Sequence, residues 1–247
     1  MPIYYPEKIS FYPRSTQIFI RRIVYRIDSG KNALIGVFGP TGGGKSLAAL
    51  QLMRGMYLFR HGKEPPEDYL INHVKFKARD FLESMNNPAL KKKEEWLWDE
   101  SGIDIGHKSF ATIQNRVIGW LIQTFRHLQQ VVFFTTPSLS FIDASVRKML
   151  HYFLEVKTID YEKQICVIKP IELQYNIRLD KTYFKNIKYH DQKGFVYHIK
   201  VMGVPKIPDD LEIRYKAEQS KFTKDLNIKI YEILEKLDDK KEKKELS

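Results

Sequence analysis

Along this chain the spacing of apolar residues switches repeatedly between strand and helix periods. Ala33-Leu-Ile-Gly-Val-Phe38 is a short unbroken apolar run, the pattern of a strand buried on both faces. Leu47 to Tyr57 follows with helical spacing. Tyr69-Leu-Ile-Asn72 reads as a short second strand, Lys77 to Met85 as a helix broken by Asn86-Asn-Pro88, and Glu95-Trp-Leu-Trp-Asp-Glu100 as a third strand. Phe110 to Gln129 carries Ile113, Val117, Trp120, Leu121, Phe125 and Leu128 near the 3.6-residue period and predicts a long helix. Val131-Val-Phe-Phe-Thr135 predicts another buried strand, and Ile142 to Leu150 a further helix.

Both ends of the chain differ from this middle. Residues 1–13 are rich in Pro and Tyr and read as extended. Arg14 to Asp28 mixes strand and helix signals, with Ile20, Ile23, Val24 and Ile27 forming a helical stripe. Beyond His151 the pattern becomes strand-rich. Phe153–Ile159, Lys163–Ile168, Glu172–Ile177 and Phe195–Val201 read as strands, the first two joined as a hairpin around Asp160-Tyr-Glu162. Pro205-Lys-Ile-Pro208 is extended, Leu211 to Leu237 helical, and the charged tail to Ser247 frayed. The expected fold is α/β: a mostly parallel central sheet with right-handed crossovers and helices on both faces, then C-terminal antiparallel strands and a C-terminal helix. Three segments follow: an extension over 1–30, a core over 31–220 whose strand-rich part is 151–204, and a helix with a charged tail over 221–247.

The turn after the first strand carries the chemistry. Gly39-Pro-Thr-Gly-Gly-Gly-Lys-Ser46 matches the phosphate-binding pattern G-x-x-x-x-G-K-[ST] at every fixed position. Backbone N–H groups from Gly39, Pro40, Thr41, Gly42, Gly43, Gly44 and their successors line such a loop wherever the residue has one to give. Lys45 sets a positive charge against the β and γ phosphates, and Ser46 offers a hydroxyl to Mg2+. The helix starting there, with Leu47 in its first turn, points its partly positive end at the anion. Strand, loop and helix occur in the required order.

An apolar strand ending in acids is the expected partner of that loop. Asp99 at the end of Trp96-Leu-Trp98 is placed to hold Mg2+, and Glu100 to orient or deprotonate an attacking water. Two solvated acids at a strand end would look the same without the phosphate loop beside them. Thr135 and Thr136 close the neighbouring strand, where a γ-phosphate sensor is expected and either hydroxyl could bond phosphate or water; turn chemistry before Pro137 explains them equally well. A cation completing a neighbouring subunit's site would come from Arg116, Arg126 or Arg147.

Charge and composition narrow the partners. The chain has 247 residues and a formal net charge of +11, which favours a polyanion. Its one cysteine, Cys166, excludes an intrachain disulfide and reads as a structural thiol. No apolar run reaches membrane-spanning length, and the first residues lack a secretion-signal layout, so the chain reads as cytoplasmic, or virion-associated if viral. Candidate phosphate-gripping clusters are Gly102 to Lys108, which includes His107; Lys75, Lys77 and Arg79; and Lys91 to Lys93. Solvated loop charge is the alternative for each.

These residues together resemble the FtsK/HerA branch of P-loop ATPases, and within it small archaeal and viral members and the ATPase domain of zonula occludens toxin-like phage assembly proteins. The resemblance runs over about residues 30–220. It rests on Gly39 to Ser46, Tyr69 to Asn72, Trp98 to Ser101, Phe125-Arg126, Thr135 to Ser138, Ile142 to Arg147, and Pro205 to Leu211 with a Tyr-containing helix after it. It implies a RecA-like core, ATP with Mg2+, a hexameric ring and movement of double-stranded DNA, with a capsid or membrane partner to locate the motor. Many members carry Gln where Thr136 stands here. A virion-assembly or secretion ATPase and a slow nucleotide-dependent binding switch share the same core residues.

Overall fold

The computed structural model describes residues 9–99, 125–138, 147–190 and 193–245. The phosphate-loop strand β1 (Ala33–Phe38) lies at the centre of the parallel part of the sheet, flanked by β4 (Val131–Thr136) and β5 (Tyr152–Asp160). Beyond β4 stand β3 (Glu95–Trp98) and the two-residue β2 (Val74–Lys75), all parallel. The sheet therefore runs β2-β3-β4-β1-β5 and continues antiparallel through β6 (Ile165–Asn176), β7 (Lys181–His190) and β8 (Val196–Ile199), with β9 (Met202–Pro205) paired to β6. One strand, β4, separates β1 from β3.

Strand alternation sorts the core into two layers. Ala33, Ile35, Val37, Leu97, Val131 and Phe133 face one side, where α1 (Arg14–Asp28) and α2 (Lys45–His61) pack. Leu34, Phe38, Trp96, Trp98, Val132 and Phe134 face the other, covered by Ala78, Phe81 and Met85 of α4 (Ala78–Met85). Helices thus cover both faces, as the alternating pattern predicts. The stripe Ile20, Ile23, Val24 and Ile27 is fully buried, so the N-terminal helix belongs to the core. It reaches α2 closely because position 55 is Gly: a Cβ there would meet Ile20 Cδ1 at 2.5 Å and Tyr12 at 3.0 Å.

Four elements differ from the expected pattern, one being β9 (Met202–Pro205), a separate strand just past the one expected over Phe195–Val201. Tyr69–Asn72 is a short helix, α3, rather than a strand, and the strand pairing with β3 is Val74–Lys75. In α3 only Leu70 is buried, while the Tyr69 hydroxyl reaches across to Glu95 at 3.0 Å, a reach that one helical turn allows. The two expected strands over 163–177 are one, β6, which runs through Pro170 opposite Leu154. Partners on both sides of β6 keep it extended although Pro170 gives no N–H. Strand β7 was not expected at all; in Lys-Thr-Tyr-Phe-Lys-Asn-Ile-Lys-Tyr-His only Ile187 is buried, so no apolar alternation marks it. The hairpin between β5 and β6 falls at the expected Asp160–Glu162 turn.

The last helix, α5 (Asp209–Glu245), is longer than its apolar pattern implies. Leu211, Tyr215 and Phe222 form a docking stripe on its first turns, and Phe222 stacks on Phe76 at 5.2 Å. Arg214 holds this part down by pairing with Asp68 and donating to the Glu67 carbonyl at 2.7 Å. Ile228, Tyr231 and Leu234, further along, are exposed. Of the predicted helices over 110–129 and 142–150, most residues lie outside the described ones; Phe125–Leu128 is a 3-10 turn leading into β4.

Candidate nucleotide-binding site

β1, β3 and β4 end at the same edge of the sheet, and the site is built there. After Phe38 the chain turns through Gly39, and Gly42 and Gly44 adopt φ of +76° and +83°, left-handed angles that glycine takes without steric cost. A Cβ at Gly43 would lie 3.0 Å from the Pro40 carbonyl oxygen, a crowding that glycine avoids. α2 begins at Lys45, and its first internal hydrogen bond runs from Ala48 N–H to the Gly44 carbonyl at 2.9 Å. The N–H groups of its first turn are thereby offered toward the loop.

Lys45 folds back over the hollow. Its Nζ donates to the carbonyls of Gly39 at 3.1 Å and Pro40 at 2.9 Å. The loop thus holds a fixed ammonium at the mouth of an amide-lined cup, a combination suited to polyphosphate.

The metal side is formed by Asp99, which is fully buried at the tip of β3. Ser46 Oγ donates to Asp99 Oδ1 at 2.7 Å, and Thr135 Oγ1 donates to the same oxygen. Tyr215 Oη, from α5, donates to Oδ2. A buried carboxylate is stable only with such partners, and three hydroxyls supply them. The hydroxyl of Ser46 and the carboxylate of Asp99 are hard oxygen donors within reach of one small cation, which fits Mg2+ completed by phosphate oxygens and waters.

These parts surround one cleft of about 360 Å³. Thr41, Lys45 and Ser46 line one side, Thr135 and Thr136 another, and Tyr215, Lys216 and Gln219 of α5 a third.

The expected site residues divide into those gathered here, those placed elsewhere and those outside the described residues. Gly39 to Leu47, Asp99 and Thr136 converge at this edge. Thr135, not Thr136, touches Asp99; the Thr136 hydroxyl donates to the Ser138 carbonyl at 3.4 Å while Thr136 lines the cleft. Glu100 and Arg116 lie outside the described residues, as does the cluster Gly102 to Lys108 with His107. Arg126 sits in the turn entering β4, at the edge opposite the phosphate loop. Arg147 is exposed and lines a different cleft with Leu150, Phe153 and Phe184. In the two described basic clusters, Lys77 pairs with Asp225, Arg79 with Glu83 and Lys93 with Asp28. Burial lowers the Lys75 ammonium pKa, with nearby Asp80 opposing.

Sequence reasoning missed Tyr215. The one available signal was the tyrosine-bearing helix after Pro205 to Leu211, and nothing local to it indicates that its hydroxyl reaches a residue 116 positions earlier.

The buried pair Arg60–Glu95 also went unread. It anchors β3 to α2, with Tyr69 donating to the second carboxylate oxygen at 3.0 Å. Burial raises the Glu95 pKa, and the Arg60 guanidinium works against that rise.

No family model matches the sequence, and no curated protein matches it. Among solved structures, the N-terminal domain of zonular occludens toxin from Neisseria meningitidis is 14% identical with a TM-score of 0.39, over 66% of this chain and 96% of that one. The DnaC helicase loader is 16% identical with a TM-score of 0.33, over 58% of this chain and 78% of that one. The flagellar accessory protein FlaH from Methanocaldococcus jannaschii is 11% identical with a TM-score of 0.30, over 67% of this chain and 96% of that one. Likeness at this level carries no weight for function. Among the described residues, no helix is long and apolar enough to cross a membrane.

Proposed function

We propose that this chain binds ATP with Mg2+ in the cleft between the phosphate loop and Asp99, hydrolyses it, and uses the cycle to move double-stranded DNA as a ring-shaped motor of the FtsK/HerA kind. The observation that carries the nucleotide reading is the meeting of Ser46 and Asp99 at 2.7 Å, beside a loop whose lysine and helix N-terminus face the same hollow. Lys45 would hold the β and γ phosphates, Ser46 and Asp99 the ion, and Glu100 would orient the attacking water. The ion, when bound, neutralises charge that builds up on the phosphates. One of Arg126, Arg147 and Arg116 would serve a neighbouring subunit, and a capsid or membrane partner would set where the ring works. The net charge of +11 supports a polyanionic track.

A second reading has its own support. Tyr215 joins the docked turns of α5 to Asp99, and the same helix then exposes Ile228, Tyr231 and Leu234. A nucleotide-dependent binding switch would use that connection.

Steady-state ATP hydrolysis, with and without double-stranded DNA at two salt concentrations, separates the two. A motor shows DNA-stimulated turnover that falls with salt and is nearly abolished by Glu100→Gln. A switch shows slow turnover indifferent to DNA.

A further inference from the structure

A second cavity, of about 160 Å³, opens from the phosphate cleft and shares Gly44, Leu47 and Ile159 with it. It leaves on the β5–β6 side; Thr135 and Tyr215 line the cleft but not this slot. Its inner wall is apolar. A Cβ at Gly44 would meet Ile159 Cδ1 at 3.3 Å and Cys166 Sγ at 3.7 Å, so both side chains lie directly against the loop backbone. Burial pushes the Cys166 thiol up to about 11, so the sulfur stays neutral there.

The outer wall is the β5–β6 turn, which is held by its own hydrogen bonds. Lys163 N–H donates to Asp160 Oδ1 at 3.0 Å, Gln164 Nε2 to the Tyr161 carbonyl at 2.7 Å, and Lys206 N–H to the Gln164 carbonyl at 2.9 Å. Tyr161, 73% exposed, stands at the rim.

We propose that this slot receives the base of the nucleotide and prefers adenine. The inference rests on the reading that the phosphate loop binds a nucleoside triphosphate. An apolar slot with an aromatic rim takes a flat purine face by stacking. Guanine presents an N–H and an NH2 that want a carboxylate. The one carboxylate among the lining residues, Glu212, is held by Lys216 at 2.5 Å and Lys206 at 3.4 Å. Adenine makes no such demand.

Cys166 is the chain's one cysteine and lies 3.7 Å from the Gly43 carbonyl, so its conversion to a mixed disulfide, with sulfinate as leaving group, reports the slot without reference to activity. The rate of modification by a small methanethiosulfonate reagent is measured on the full chain with Mg2+ and a concentration series of ATP, GTP or tripolyphosphate carried to saturation. Calorimetry on the same samples records binding. ATP is expected to slow the reaction about tenfold, tripolyphosphate to leave it nearly unchanged although bound, and GTP to need about tenfold higher concentration than ATP. Tyr161→Ala, at an exposed site, is expected to weaken ATP about fivefold and tripolyphosphate not at all. Equal protection by tripolyphosphate, equal potency of GTP, or no protection by bound ATP overturns the assignment while leaving the phosphate site standing. Failure of ATP and tripolyphosphate alike to bind overturns both.

Discussion

The Tyr215 hydroxyl donates a hydrogen bond to Asp99 Oδ2, tying the first turns of the C-terminal helix to the acidic tip of β3. Both residues are buried, and Ser46 and Thr135 occupy the other carboxylate oxygen. The carboxylate is therefore oriented by three separate elements: α2, β4 and α5.

Tyr215→Phe removes one of those donors without emptying the ring's place. Losing a hydrogen bond to a buried charged group costs about 1.5–3 kcal/mol. The variant should show a lower denaturation midpoint and faster amide exchange across 209–222, with α2 little affected. Unchanged exchange over those residues would show that the hydroxyl does not hold α5.

Ser46→Ala tests the metal side. The variant should bind ATP about tenfold more weakly than the parent when Mg2+ is present, about 1.4 kcal/mol, and equally well in chelator. Calorimetric titration in the two buffers separates a metal-linked loss from a general one.

The pair Arg60–Glu95 carries a different prediction. Glu95 is fully buried and Arg60 is the one guanidinium among its described partners, so Arg60→Met strands a buried carboxylate, at a cost of about 3–5 kcal/mol. The double variant Arg60→Met, Glu95→Leu should recover most of that loss. Urea denaturation of the single and double variants measures the difference; equal destabilisation in both would refute the pairing.

Much of the fold could be read from the sequence wherever burial dictates the residue pattern. β1 and β4 are unbroken apolar runs because both faces are covered, and the loop between β1 and α2 is marked by the glycines its angles require. Where burial is slight the pattern is silent, as in β7, or misleads, as at Tyr69–Asn72, whose apolar residues serve a helical turn. Ser46 and Asp99 were legible because each sits at the end of a recognisable element. Tyr215 was not, since a contact across 116 residues leaves no trace in local spacing.

His151 gives the pH dependence. Burial, with Arg26 nearby, holds its pKa down to about 3 from 6.5, and the neutral ring accepts the Leu34 N–H at 3.0 Å. The unfolded chain takes up this proton first, so the contribution is full above about pH 6.5 and is lost as pH falls toward 3. The loss amounts to a few kcal/mol, roughly 1.4 per pH unit. His151→Asn, whose amide oxygen can accept the same N–H, should flatten stability between pH 6 and 4 as followed by thermal melting at each pH. An unchanged slope would show that His151 does not set the acid-side loss of stability.

Calorimetric titration of ATP with Mg2+ into the parent chain and Lys45→Ala decides whether a triphosphate and its ion are held between Lys45 and Asp99. Saturable binding by the parent that weakens about a hundredfold or more in the variant is the expected result. Binding of equal strength in both, or none in the parent, would contradict it.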